Sequence, residues 1–170
     1  FLYRWGNAAA YNRGTVADKK LFYPHNPEWI PAGYKDEYKI IVYNNGLGRP
    51  GGNASSVDII NTPVDLNGNY TINTGQPFGP DTAFWSYMAP VPASFYSATM
   101  GGAVRLSNGN TLICEANKGN LFEIDSLKNI VWKYINPVGD TGPILQGTTT
   151  NKNGVFKSYL YEPGYSGFAG

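Results

Sequence analysis

His25 is the one histidine of the chain, and it stands between two prolines in Leu21-Phe-Tyr-Pro-His-Asn-Pro-Glu-Trp29. Imidazole changes charge near neutral pH, so a lone histidine can serve as a nucleophile or a proton carrier. It can equally be a structural residue, hydrogen-bonded inside a loop. A second candidate lies in Asn44-Asn-Gly-Leu-Gly-Arg-Pro-Gly-Gly52. Glycines let a backbone approach a ligand closely, and the planar fork of arginine suits an oxyanion. Asn45 and Arg49 could together hold a sulfate or phosphate ester. The spacing is not that of a P-loop, and no Lys-Ser/Thr pair follows. The other reading is a glycine-rich connection whose arginine points to solvent. Ser55 and Ser56 add hydroxyls or are ordinary strand-edge residues.

Other residues carry less chemistry. Cys114 is the one cysteine, which excludes a disulfide framework and a cysteine-rich zinc site. It reads as a buried, inert thiol. Asp65-Leu-Asn-Gly-Asn69 offers oxygen ligands but lacks the spacing and distal Glu of a calcium loop, so it reads as a turn. Trp29, Trp85 and Trp132 recur at similar positions and read as packing residues, or as a platform for a sugar or aryl group.

These residues need a scaffold, and composition says which kind. The 170 residues include 21 Gly, 12 Pro and 15% aromatics, with only 15% charged. Such a chain is rich in turn and strand formers, and predicts an all-β protein of many short strands. A net charge of +1 argues against a nucleic-acid binder. No apolar run reaches the ~18 residues of a spanning helix, so no membrane span is expected. The start at Phe1, without Met or signal peptide, predicts a mature or partial chain. No cofactor is expected.

Asn67-Gly68, Asn108-Gly109 and Asn153-Gly154 read as tips of type I′ hairpins. Around the second tip, 103–106, 110–115, 120–125 and 130–135 read as four short antiparallel strands. Val131-Trp-Lys-Tyr-Ile-Asn-Pro137 repeats the pattern of Phe84-Trp-Ser-Tyr-Met-Ala-Pro90, 47 residues apart by their prolines (137 − 90). Val57-Asp-Ile59 matches Phe122-Glu-Ile124 upstream of each copy, and Lys39–Tyr43 matches Thr111–Cys114. A unit of that length fits a four-stranded propeller blade. The expected domain is therefore a partial β-propeller over 1–170. Residues 1–90 hold the end of one blade and a long blade with insertions at Gly46–Asn53 and Leu66–Pro80. Residues 91–137 form a second blade, and 138–170 a C-terminal strand, near Val155–Tyr161, and tail. Two blades leave open edges, so the remaining blades of the same propeller or a partner chain must cover them. A self-contained β-sandwich is the alternative.

Several segments, in order, resemble the bacterial arylsulfotransferase-like (aryl-sulfate sulfotransferase) propeller family. They are Tyr3-Arg-Trp-Gly-Asn7, Lys20-Leu-Phe22 running to His25 and Trp29-Ile30, Asn44–Pro50, Ser55-Ser-Val-Asp58, Arg105–Cys114 and Val131–Pro137. The resemblance implies a six-bladed propeller located outside the cytoplasm, whether secreted, on the cell surface or periplasmic. It implies transfer of a sulfuryl group from an aryl sulfate to a phenol through a sulfohistidine, with no nucleotide donor. On it, His25 is the sulfuryl acceptor or acid/base, and Arg49, Asn45 and Asn26 are oxyanion donors. His25-Asn26 stands where many members have His-Asp, which removes an acid–base partner. The competing expectation is a non-catalytic secreted or surface propeller that serves as scaffold, binding module or secretion cargo.

Overall fold

Short runs of β-branched and aromatic residues, each closed by a polar turn, leave this chain little alternative to antiparallel sheet. A computed structural model of the chain describes residues 2–148, 150 and 152–169. Strands β1 (Pro24–Trp29), β2 (Ile40–Asn44), β3 (Ser56–Ile60) and β4 (Trp85–Tyr87) form one sheet. Strands β5 (Gly102–Arg105), β6 (Thr111–Glu115), β7 (Asn120–Ile124) and β8 (Ile130–Ile135) form a second. In both, the spatial order is the chain order and every pair is antiparallel. β9 (Val138–Gly139) and β10 (Gly142–Pro143) make a small separate hairpin. Helical structure among the described residues is confined to short 3₁₀ turns. The all-β class and the four-stranded antiparallel sheets are thus as expected.

The two sheets lie face to face. Ile41, Tyr43, Val57, Ile59 and Tyr87 of the first meet Ala103, Ile113, Phe122 and Ile124 of the second. Phe95, on the connection between the sheets, sits at the centre. Its ring is edge-on to Tyr43 at 5.7 Å and to Phe122 at 5.5 Å. Each such buried aromatic is worth about 3–5 kcal/mol against alanine. A buried ion pair between Arg105 Nη2 and Asp36 Oδ2, 2.5 Å apart, ties β5 to the β1–β2 connection, with the guanidinium 4.9 Å from the Trp85 ring.

The turns differ from the expected type. In 65–69 and 106–110 only the glycines, Gly68 and Gly109, have positive φ, whereas a type I′ turn needs it at the preceding Asn as well. Gly68 N–H donates to Asp65 O and Asp65 N–H to Asn69 O; Gly109 and Leu106 do the same with Leu106 and Asn110. These are three-residue loops closed by a left-handed residue. Residues 125–129 repeat the form with Lys128 at φ 69°. The carboxylates of Asp65 and Asp125 each accept from two backbone N–H groups and an Asn side chain. At Asp65 these bonds form the expected turn.

Asn153-Gly154 makes no hairpin. Asn153 is buried and exchanges side-chain-to-carbonyl hydrogen bonds with Asn136, so its amide is committed to a loop instead of a tip. The strand expected near Val155–Tyr161 makes no ladder either. Its backbone binds singly: Val155 N–H donates to Ala116 O, and Gly101 N–H to Phe156 O. Residues 2–7 also form no strand. Tyr3 Oη and Trp5 Nε1 donate instead to the carbonyls of Gly79 and Pro80, which docks this segment on the second expected insertion. The insertion at Gly46–Asn53 is the β2–β3 loop.

Candidate functional site

His25 lies on β1, opposite Tyr43 of β2. The flanking backbone is unusual. Tyr23 and Asn26 have φ 55° and 51°, and a β-bulge separates His25 from Glu28. Left-handed backbone costs a non-glycine residue roughly 1 kcal/mol or more, least for Asn. The bulge re-aims the His25 side chain toward the end of β2.

There Nδ1 lies 2.7 Å from Asn45 Oδ1 and 3.2 Å from the Tyr23 carbonyl. Asn45 is fully buried, and its Nδ2 donates to both Ser97 O and Met100 O at 2.8 Å. Both amide hydrogens are therefore used on acceptors, and Oδ1 must accept. It follows that His25 Nδ1 carries a proton, and in the neutral ring Nε2 keeps its lone pair. Ser55 Oγ completes the lock by donating to Asn45 O and accepting from Ser97 N–H. The β2–β3 loop and the 95–101 connection are thus fastened to each other around one carboxamide.

Arg49 is in a different network. Asn44 and Asn45 are adjacent, so along an extended chain their side chains leave on opposite sides. Asn44 Nδ2 donates to Asp58 Oδ2 at 3.0 Å, as does Ser56 Oγ, and Ser86 Oγ donates to Asp58 Oδ1 at 2.6 Å. Arg49 Nη2 donates to Ser56 Oγ at 2.9 Å, with the guanidinium 5.6 Å from the Phe22 ring. Burial pulls the Arg49 guanidinium below its ordinary value, and the charge of Asp58 opposes that. Gly46 makes the loop possible. At φ 79° its absent Cβ would sit 1.7 Å from Ala54 O. Asn26, the remaining expected donor, accepts a 3.4 Å hydrogen bond from Tyr159 Oη. The same phenol bonds to Glu28 Oε1 and accepts from Lys157 Nζ.

The fold therefore joins His25 directly to Asn45, and gives Arg49 and Asn26 protein partners of their own. Sequence reasoning passed over Asp58, the acceptor on which Asn44, Ser56 and Ser86 converge. The available signal was Ser56-Val-Asp58, two polar residues at strand period within an apolar run. Ser97, two residues past the central Phe95, had no sequence signal at all. Burial pushes the Cys114 thiol up to about 11, in keeping with an inert residue.

No protein-family model, curated protein or solved structure matches the chain. Among the described residues no group of three or more His, Cys, Asp and Glu side chains could hold a metal ion, and no helix is long and apolar enough to cross a membrane. The chemistry the arrangement offers is that of a single oriented imidazole beside buried amides and carbonyls.

Proposed function

We propose that this chain is part of an extracytoplasmic, arylsulfotransferase-like β-propeller in which His25 relays a sulfuryl group from an aryl sulfate to a phenol. The observation that carries the reading is the His25–Asn45 hydrogen bond, which directs the proton to Nδ1 and leaves Nε2 nucleophilic. Consecutive four-stranded meanders packed face to face support the propeller part.

In the first half-reaction the Nε2 lone pair forms an N–S bond as the S–O bond to the aryl group breaks. The phenolate leaves and takes a proton from water. The imidazolium proton on Nδ1 stays shared with Asn45 Oδ1. In the second half-reaction the oxygen of the acceptor phenol attacks sulfur, the N–S bond breaks, and the phenol proton goes to solvent. Arg49 would act as an oxyanion donor by exchanging Ser56 for a sulfonate oxygen, and Asn26 through its Nδ2. The commitment of Arg49 to Ser56 and of both Asn45 amide hydrogens to carbonyls favours the second reading, a non-catalytic propeller used as scaffold or binding module.

Incubating the full polypeptide with p-nitrophenyl sulfate and a phenol separates the two. Catalysis predicts nitrophenolate release, a sulfuryl adduct on His25 by mass spectrometry, and a loss of at least about 100-fold in His25→Ala. No turnover in the wild type, or unchanged turnover in His25→Ala, removes the catalytic reading and leaves the scaffold.

A further inference from the structure

A cavity at the seam of the two sheets has no part in the chemistry above. It lies at the Trp29 end of β1, away from His25, between β1, the start of β2, the end of β5 and residues 159–162. Its volume is about 170 Å³. One water needs only about 10–15 Å³, and sites for drug-sized ligands run to roughly 300–1,000 Å³, so the space suits a molecule of one ring.

The floor is fixed by the fold. Ile30, Ile41 and Leu106 are buried there, and Arg105 is only 6% exposed. The Arg105 guanidinium is held on three sides. Nη1 donates to Thr111 Oγ1 at 2.6 Å, Nη2 donates to Asp36 Oδ2, and the Trp85 ring lies 4.9 Å away. Nε is buried and has no acceptor among the described residues. Buried N–H groups are seldom left unpaired, because an unmade bond costs the full desolvation of the donor. Asp36 balances the charge of Arg105, so the guanidinium offers a hydrogen bond here and no net positive charge.

The mouth carries Glu28, Glu162 and Trp29, the last 53% exposed, with Tyr34 on the wall. Tyr159 Oη donates to Glu28 Oε1, and Ser107 Oγ donates to Glu162 Oε1 at 2.5 Å. Each carboxylate spends one oxygen on a neutral hydroxyl. Its Oε2 has no protein partner among the described residues.

We propose that this cavity binds a neutral sugar ring. Trp29 offers an apolar surface to the C–H face of a pyranose. Glu28 and Glu162 accept hydrogen bonds from its hydroxyls, and one hydroxyl oxygen accepts from Arg105 Nε. Other ligand classes leave part of the site unmet. An anion is repelled by two carboxylates. An ammonium suits the carboxylates and the rings but gives Nε no acceptor. An apolar ring satisfies none of the polar groups. A hydroxyl both donates and accepts, so a polyol answers all of them. The inference is independent of His25 and of the reaction proposed for it.

The test titrates the full polypeptide with methyl β-D-glucopyranoside, methyl β-D-galactopyranoside and methyl α-D-mannopyranoside, and separately with tetramethylammonium and with sulfate. The indole N–H of Trp29 is followed in proton–nitrogen NMR spectra. At least one glycoside should shift it with a millimolar Kd, and neither ion should do so at the same concentration. Trp29→Ala and Glu162→Gln change exposed positions. Each should weaken glycoside binding at least about tenfold, read by saturation transfer to the sugar C–H protons. No binding of any of the three glycosides at tens of millimolar overturns the inference. So does binding of tetramethylammonium or sulfate instead, or glycoside binding that survives either substitution.

Discussion

At the scale of single residues, the state of His25 is set by the side-chain amide of Asn45. Asn45 has no rotational choice, because Ser97 O and Met100 O take both of its hydrogens. Nitrogen NMR on the protein should therefore show His25 protonated at Nδ1 whenever the ring is neutral. A dominant Nε2–H form would overturn the assignment. Asn45→Ala leaves two buried carbonyls and an imidazole N–H without partners, and should lower stability by about 2–4 kcal/mol in urea unfolding. The His25–Asn45 contact was only half legible beforehand. Both residues could be picked out by type, but their separation of 20 positions gives no hint of a bond, and the β1 bulge that makes it is encoded in no motif.

At the scale of elements, β3 shows how one strand serves two surfaces. Val57 and Ile59 enter the inter-sheet core, while Ser56 and Asp58 turn to the other face and receive Asn44, Ser86 and, through Ser56, Arg49. Removing the carboxylate strands three donors and leaves the guanidinium without its nearby counter-charge. Asp58→Ala should cost about 3–5 kcal/mol, and Ser86→Ala about 1 kcal/mol. Equal, small losses in both would mean that the network is solvated and the carboxylate is not its centre. The strands themselves were readable from alternation, and most fall within a residue or two of expectation. The 153–161 segment was not, because apolar alternation marks a surface to be buried and says nothing of whether a ladder partner exists for it.

At the scale of the whole molecule, packing two sheets together buries several weak acids. Burial raises the Cys114 thiol to about 11, and raises the phenols of Tyr43 and Tyr87 as well. The folded state therefore favours their neutral forms. Below about pH 8.5 these groups are neutral in both states and their contribution is intact. As pH rises past the unfolded values the unfolded chain loses protons first, and stability is lost progressively through the raised folded values. The urea midpoint should be level from pH 7 to about 8.5 and fall clearly by about pH 11, with a smaller fall in Cys114→Ala. A midpoint flat across that range would show that these groups are hydrated in the fold. In native protein at pH 8 the thiol should resist iodoacetamide until the chain unfolds.

Composition, strand alternation and turn residues were enough to specify an all-β chain and the limits of most of its strands, because those features follow from local backbone sterics and from the two-residue period of a pleated strand. They also singled out His25 and Asn45 by chemistry. Which turn type closes each hairpin, which side of a strand Arg49 serves, and whether a tyrosine ends buried like Tyr87 or exposed like Tyr134 were settled by contacts between residues far apart in the chain. Those depend on which sheet face finds another sheet against it, and the Trp-x-Tyr pattern shared by 85–87 and 132–134 acquires two environments for that reason.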